Sequence, residues 1–72
     1  MLSFQIKNEN RTIEISCDNA GISQLVEVLT RLRGSGNHVH LLTPSCGGSQ
    51  LSEKTPYGEN AIGEVIISHG GD

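Results

Sequence analysis

The sequence predicts an α+β fold in the order ββαββ, with one helix packed on a small, mostly antiparallel four-stranded sheet. Three observations predict it. Two short runs at the N-terminus alternate apolar and polar residues across a polar turn. A central stretch repeats its aliphatic residues at helical spacing. Two later runs, His38–Leu42 and Ala61–Ser68, return to strand-like composition. The chain has 72 residues, the size of one domain, so residues 1–72 are read as a single unit.

The first strand follows from Leu2, Phe4 and Ile6, which alternate with Ser3, Gln5 and Lys7. Asn8-Glu9-Asn10 is a polar turn. Ile13, Ile15 and Cys17 then alternate with Thr12, Glu14 and Ser16, and β-branched isoleucines suit a pleated surface. The two runs make a hairpin with its apolar sets turned inward.

Asp18 or Asn19 is placed to cap the helix that follows. Ile22, Leu25, Val26, Leu29 and Leu32 form one stripe, whose burial is worth roughly 10 kcal/mol gross. Glu27 precedes Arg31 by four residues, the favourable order for a helical ion pair. Arg31 and Arg33 suit the negative end of the helix dipole. Gly34 reads as the left-handed residue that ends the helix. Ser35-Gly36-Asn37 is a turn.

In the third strand, Val39 and Leu41 face one way and His38, His40 and Leu42 the other. From Thr43 to Glu59 no periodicity remains. A loop of that length is usually functional or mobile. Leu51 is its only aliphatic residue and should pin it to the body. In the fourth strand Val65-Ile66-Ile67 is apolar on consecutive positions, which predicts cover on both faces or a homodimer interface. A single β-α-β crossover of the right hand would give the strand order 2-1-3-4. His69-Gly70-Gly71-Asp72 is a tail.

Composition excludes several functions. The net charge is −3, and Phe4 and Tyr57 are the only aromatics. There is no basic stripe and no row of rings for bases to stack on, which argues against nucleic-acid binding. No apolar run approaches the ~20 residues of a membrane span. The first residues lack the basic and apolar regions of an export signal. A cytoplasmic location and two free thiols, Cys17 and Cys46, are the corresponding expectations.

Candidate chemistry concentrates between His38 and Glu53. His38 and His40 share a strand face and, with Cys46 and His69, supply the donor types of a zinc site. No carboxylate is evident to orient an imidazole, and no C-x-x-C or H-x-x-x-H pair is present. Cys46 beside a histidine, with Gly47-Gly48 as oxyanion donors, would make a nucleophilic pair, but no third orienting group is evident. The alternative is that Thr43-Pro44 opens a turn and the glycines supply its dihedral angles. Gly47-Gly48-Ser49 lacks the Lys-Ser/Thr of a phosphate loop. Glu53 and Glu59 sit in the loop with no apolar surroundings to raise their pKa values. The reading is therefore no enzyme, no resident metal and no cofactor.

The run His38-Val39-His40-Leu41-Leu42-Thr43-Pro44-Ser45-Cys46-Gly47-Gly48, followed by Leu51-Ser52-Glu53, resembles a family of small bacterial proteins. Its members carry His-x-His-Leu at a strand end, then Thr-Pro-x-x-Gly-Gly, then Leu-Ser. This is similar to the predicted immunity protein family thirty-two of polymorphic toxin systems, and the preceding hairpin and helix fit as well. The resemblance implies a cytoplasmic antitoxin that binds a cognate protein toxin and has no enzymatic activity. His38, His40, Thr43, Pro44, Gly47 and Gly48 match the motif. With Ser45, Cys46 and Leu51 they make the expected contact surface. The chain departs at Cys46, where relatives tend to carry Trp. A position that accepts Trp is no required thiolate, so Cys46 reads as a packing or interface residue. Two other readings stand beside this one: a zinc domain on His38, His40 and Cys46, and a homodimer through Val65, Ile66 and Ile67.

Overall fold

The computed structural model describes residues 1–35 and 37–71. Gly36 of the expected turn and Asp72 of the expected tail lie outside the described residues. Strand β1 spans Leu2–Lys7, β2 Thr12–Cys17, helix α1 Asn19–Ser35, β3 His38–Leu42 and β4 Glu64–Ser68. A single 3-10 turn, Pro44–Cys46, follows β3. The α+β class and the ββαββ order are as the sequence predicts.

The strands do not form one four-stranded sheet. They pair as two antiparallel hairpins, β1–β2 and β3–β4, and β1 does not pair with β3. The reason lies at the outer edge of β1. The Leu2 carbonyl accepts a hydrogen bond from the Ser52 N–H at 2.8 Å, and the Phe4 carbonyl accepts one from the Ile62 N–H at 2.8 Å. The long connection between β3 and β4 thus occupies the edge that β3 was expected to fill. These bonds fasten the second hairpin to the first through the loop. The fourth strand is also shorter than its apolar run: Ala61, Ile62 and Gly63 precede it as irregular backbone.

Leu2, Phe4, Leu41 and Leu51 make the buried core. Cys17, Leu25, Val28, Val39, Ile62, Val65 and Ile67 pack around them. Each strand and the helix contribute, but the core is small and almost wholly aliphatic. Val65 and Ile67 alternate inward, whereas Ile66 faces solvent at 54% exposure. Of the three residues expected at a β4 interface, only Ile66 is therefore well presented.

Helix α1 starts where Asp18 accepts a hydrogen bond from the Gly21 N–H at 2.8 Å. That satisfies one of the free first-turn donors and settles Asp18 as the cap. Glu27 and Arg31 pair along its outer face. The helix continues through Gly34, which has no left-handed dihedral, to Ser35. Gly34 is solvent-facing, so its weak helix propensity costs little packing.

The inward face of α1 differs from the expected stripe. Gly21 and Leu32 are buried, and Gln24, Leu25 and Val28 are half-buried. Ile22, Val26 and Leu29 are 49%, 57% and 45% exposed. Gly21 decides the rotation. A Cβ there would fall 1.8 Å from the Met1 carbonyl oxygen. Only glycine allows this approach, and it turns the Gly21 side of the helix onto the hairpin. Gln24 then reaches the Gln50 carbonyl oxygen at 3.0 Å.

The β1–β2 turn holds Asn8, Glu9 and Asn10 at φ of 54°, 57° and 66°. Asparagine tolerates this left-handed region better than most residues. The Asn8 amide donates to the Thr12 hydroxyl at 3.0 Å and steadies the turn.

Candidate functional site: the β3 face and the loop after it

The alternation of β3 sends Leu41 into the core and half-buries Val39, leaving His38 and His40 exposed on the other face. The two imidazoles meet edge to face, with ring centres 5.1 Å apart. Glu64, at the start of β4, places a carboxylate oxygen 3.0 Å from His40 Nδ1. A carboxylate only accepts, so this contact favours the tautomer with hydrogen on Nδ1. An orienting carboxylate is therefore present after all. The strand register supplies it: His40 lies directly opposite Ile66, and Glu64 is the diagonal neighbour two residues earlier.

The loop after β3 is tightly bonded. The Leu42 carbonyl accepts from the N–H groups of Gln50 and Leu51, both at 3.1 Å. The Gln50 side chain answers by accepting from the Leu42 N–H at 3.2 Å. The Thr43 carbonyl accepts from the N–H groups of Cys46 and Gly48, both at 3.0 Å, and the Thr43 N–H donates to the Gly63 carbonyl at 3.0 Å. Gly47 ends the 3-10 turn at φ 93°, a conformation that suits glycine. Gly48 is needed for space: a Cβ there would meet Leu42 Cβ at 2.4 Å and the Leu42 carbonyl oxygen at 2.8 Å.

Glu53 closes the loop over Ser45. Its carboxylate accepts from the Ser45 backbone N–H at 2.8 Å and from the Ser45 hydroxyl. The backbone donor first, and the hydroxyl second, hold the Glu53 carboxyl below its ordinary pKa. Ser45 is thus a partner in the loop's main side-chain clamp, a role that composition alone did not assign to it. Beyond Glu53, Thr55 is buried and its hydroxyl accepts from the N–H groups of Tyr57 and Glu59. A bridge between Lys54 and Asn60 completes this second turn.

The expected contact residues therefore divide in two. His38, His40, Pro44, Ser45, Cys46 and Gly47 are exposed, and Gly48 is half-buried. Thr43 and Leu51 are 2% and 3% exposed and cannot meet a partner as expected. They hold the loop from below, Thr43 by its backbone bonds and Leu51 by its place in the core. Sequence reasoning missed Glu64, Gln50 and Glu53 as the side chains that fix this surface.

Both cysteines are free thiols. The Cys46 sulfur leans on the Gly63 backbone, where an added Cβ would fall 2.6 Å from it. Among the described residues, no group of three or more His, Cys, Asp or Glu side chains is arranged to hold a metal ion. No helix among them is long and apolar enough to cross a membrane.

Comparison with protein-family models, with curated proteins and with solved structures finds no match to this chain.

Proposed function

We propose that this protein is a non-enzymatic binding protein that docks a protein partner on the β3 face and the Thr43–Glu53 loop. One observation carries the reading. The exposed loop is held rigid by its own backbone bonds and by the Ser45–Glu53 clamp. A surface ordered before binding loses little entropy when a partner arrives. Leu51 and Ser52 tie one part of this segment to the core and to β1, while Pro44, Ser45, Cys46 and Gly47 are ordered and exposed, and so available to a partner. The motif His38-x-His40-Leu41, Thr43-Pro44-x-x-Gly47-Gly48 gives the partner a class. By its resemblance to the immunity proteins, that partner is a cognate toxin, blocked by coverage of its active site or substrate path. A bacterial cytoplasm is the compartment this role requires.

The zinc reading has less support: Glu64 orients the His40 ring as a ligand's partner would, but among the described residues no three His, Cys, Asp or Glu side chains converge on one point.

The test is calorimetric titration of the protein with the C-terminal domain of a secreted toxin encoded beside it. Replacing both His38 and His40 by Ala should weaken binding at least tenfold, about 1.4 kcal/mol, with the circular dichroism spectrum unchanged. Unaltered affinity would remove this face as the contact. These positions are cleaner probes than the glycines, because a side chain at Gly48 would collide with Leu42.

A further inference from the structure

We propose that two copies of this chain associate through the free edge of β2, forming a continuous β1–β2–β2–β1 sheet that covers an apolar surface left open in the single chain. The surface is separate from the β3 loop, so this inference stands independently of the proposed partner.

The first observation is an uncovered core face. Leu2, Phe4 and Ile6 share one face of β1 with their cross-strand partners Cys17, Ile15 and Ile13. Leu2 and Phe4 are buried on that face. Ile6, Ile13 and Ile15 continue it but are 49%, 65% and 48% exposed. The second observation is the exposed flank of α1, formed by Ile22, Val26 and Leu29. It lies about 100° around the helix from the buried face. Gln24, on the opposite flank, is tied to Gln50. That loop borders the outer edge of β1, away from β2. The open flank therefore turns away from the loop, toward the side of the core that β2 borders.

These six aliphatic side chains leave on the order of 500 Å² of apolar surface. The largest patch on a typical monomer is about 300–600 Å². With the strand edge and a polar rim of Thr12, Glu14 and Ser16, the surface approaches the ~800 Å² per partner of a standard interface.

The third observation makes a second copy the fitting occupant. The Leu2 and Phe4 carbonyls point away from β2, toward Ser52 and Ile62. In an antiparallel pair the residues opposite them, Cys17 and Ile15, must likewise turn their backbone groups away from β1. The N–H and C=O groups of Ile13, Ile15 and Cys17 therefore line the free edge of β2. Among the described residues no backbone group bonds to that edge. An exposed, apolar strand edge without proline is a template for pairing.

Two-fold axes at Ile13, Glu14, Ile15 or Ser16 all keep both apolar faces on the same side. The axis at Glu14 sets like charges directly opposite each other and is repulsive. The axes at Ile13 and Ser16 pair fewer of the three outward-facing residues of β2. The axis at Ile15 sets Ile13 opposite Cys17 and Glu14 opposite Ser16, and joins all three as hydrogen-bonded pairs. We assign that register.

Sedimentation equilibrium and disulfide trapping test this. The wild-type protein should show twice its 7.7 kDa mass at high micromolar concentration. Ile15→Lys should return it to a monomer, while Ile66→Lys on β4 should leave the dimer intact. In a background with Cys17→Ser and Cys46→Ser, Ile15→Cys should form an intermolecular disulfide on mild oxidation. Directly opposed hydrogen-bonded residues lie about 5.5 Å apart, within disulfide reach. A wild-type monomer at millimolar concentration would overturn the proposal. So would a dimer that survives Ile15→Lys, or one lost on Ile66→Lys but not on Ile15→Lys. The circular dichroism spectrum of each variant checks that it is folded.

Discussion

The two hairpins are built from similar strands and end in opposite situations. In β3–β4 the apolar face, Val39, Leu41, Val65 and Ile67, packs on the core, and the outer face is mainly polar. In β1–β2 only the half of the apolar face nearest Leu2 is covered, and the half nearest the turn is open. Alternation tells which face of a strand is apolar. It does not tell how much of that face the rest of the chain can reach. One 17-residue helix and one anchored loop cover a single cluster here, and the distal hairpin extends past it.

Truncating equivalent apolar positions in the two hairpins is the most forceful test of this contrast. Leu41→Ala removes a side chain that is 1% exposed. It should cost about 2–5 kcal/mol in urea unfolding. Ile13→Ala, at 65% exposure, should cost about 1 kcal/mol or less when measured at a concentration where the chain is monomeric. Equal losses would mean that the first hairpin is packed as fully as the second.

A smaller effect is expected within the loop. Gly48→Ala forces a methyl group against the Leu42 carbonyl oxygen and Cβ. The resulting displacement should cost about 1–3 kcal/mol in the same measurement. Gly58 has no such collision: a methyl group added there would meet open space, and only the φ of 82° resists it.

The smallest expected effect is electrostatic. Folding depresses the Glu53 pKa through the Ser45 donors. A depressed carboxyl stabilises the fold above its unfolded value, about 4.3, and loses that contribution as pH falls through the folded value. The urea midpoints of wild type and Glu53→Gln should therefore differ at neutral pH and converge in acid, as pH falls through the depressed folded value. A constant gap across that range would exclude ionisation of Glu53 as the source.

How far these features were legible in the sequence follows from the range of the interactions. The hairpin at Asn8–Asn10, a helix cap at Asp18 or Asn19 and the Glu27–Arg31 pair depend on neighbours in the chain. They could be read directly. The inward face of α1 could not. Its aliphatic residues span a wide arc, and periodicity cannot choose which part is covered. Gly21 makes the choice through the Met1 carbonyl, a contact with no periodic signature. The strand order failed for a related reason. Ser52 and Ile62 take the outer edge of β1, and neither belongs to a strand.

The ordered surface on β3 and its loop was legible in outline and not in its supports. The paired histidines, the Pro-Gly framing and the anchoring Leu51 are visible in the residue types. The Glu64–His40 and Glu53–Ser45 contacts need the register of β3 against β4 and the path of the loop. Both are set by tertiary packing, which also moves Thr43 from the expected contact surface to the foundation beneath it.

The placement of Tyr57 has a practical consequence. The chain has one tyrosine and no tryptophan, and Tyr57 is 75% exposed beside the Thr55 turn. Its ring is in water whether the chain is folded or unfolded. Intrinsic fluorescence should therefore be nearly blind to folding, which circular dichroism must follow instead. The same insensitivity gives a quiet background for binding. A partner that reaches past the Thr43–Glu53 loop to the Lys54–Asn60 turn would change that emission, so this single phenol reports how far a docked partner extends along the chain.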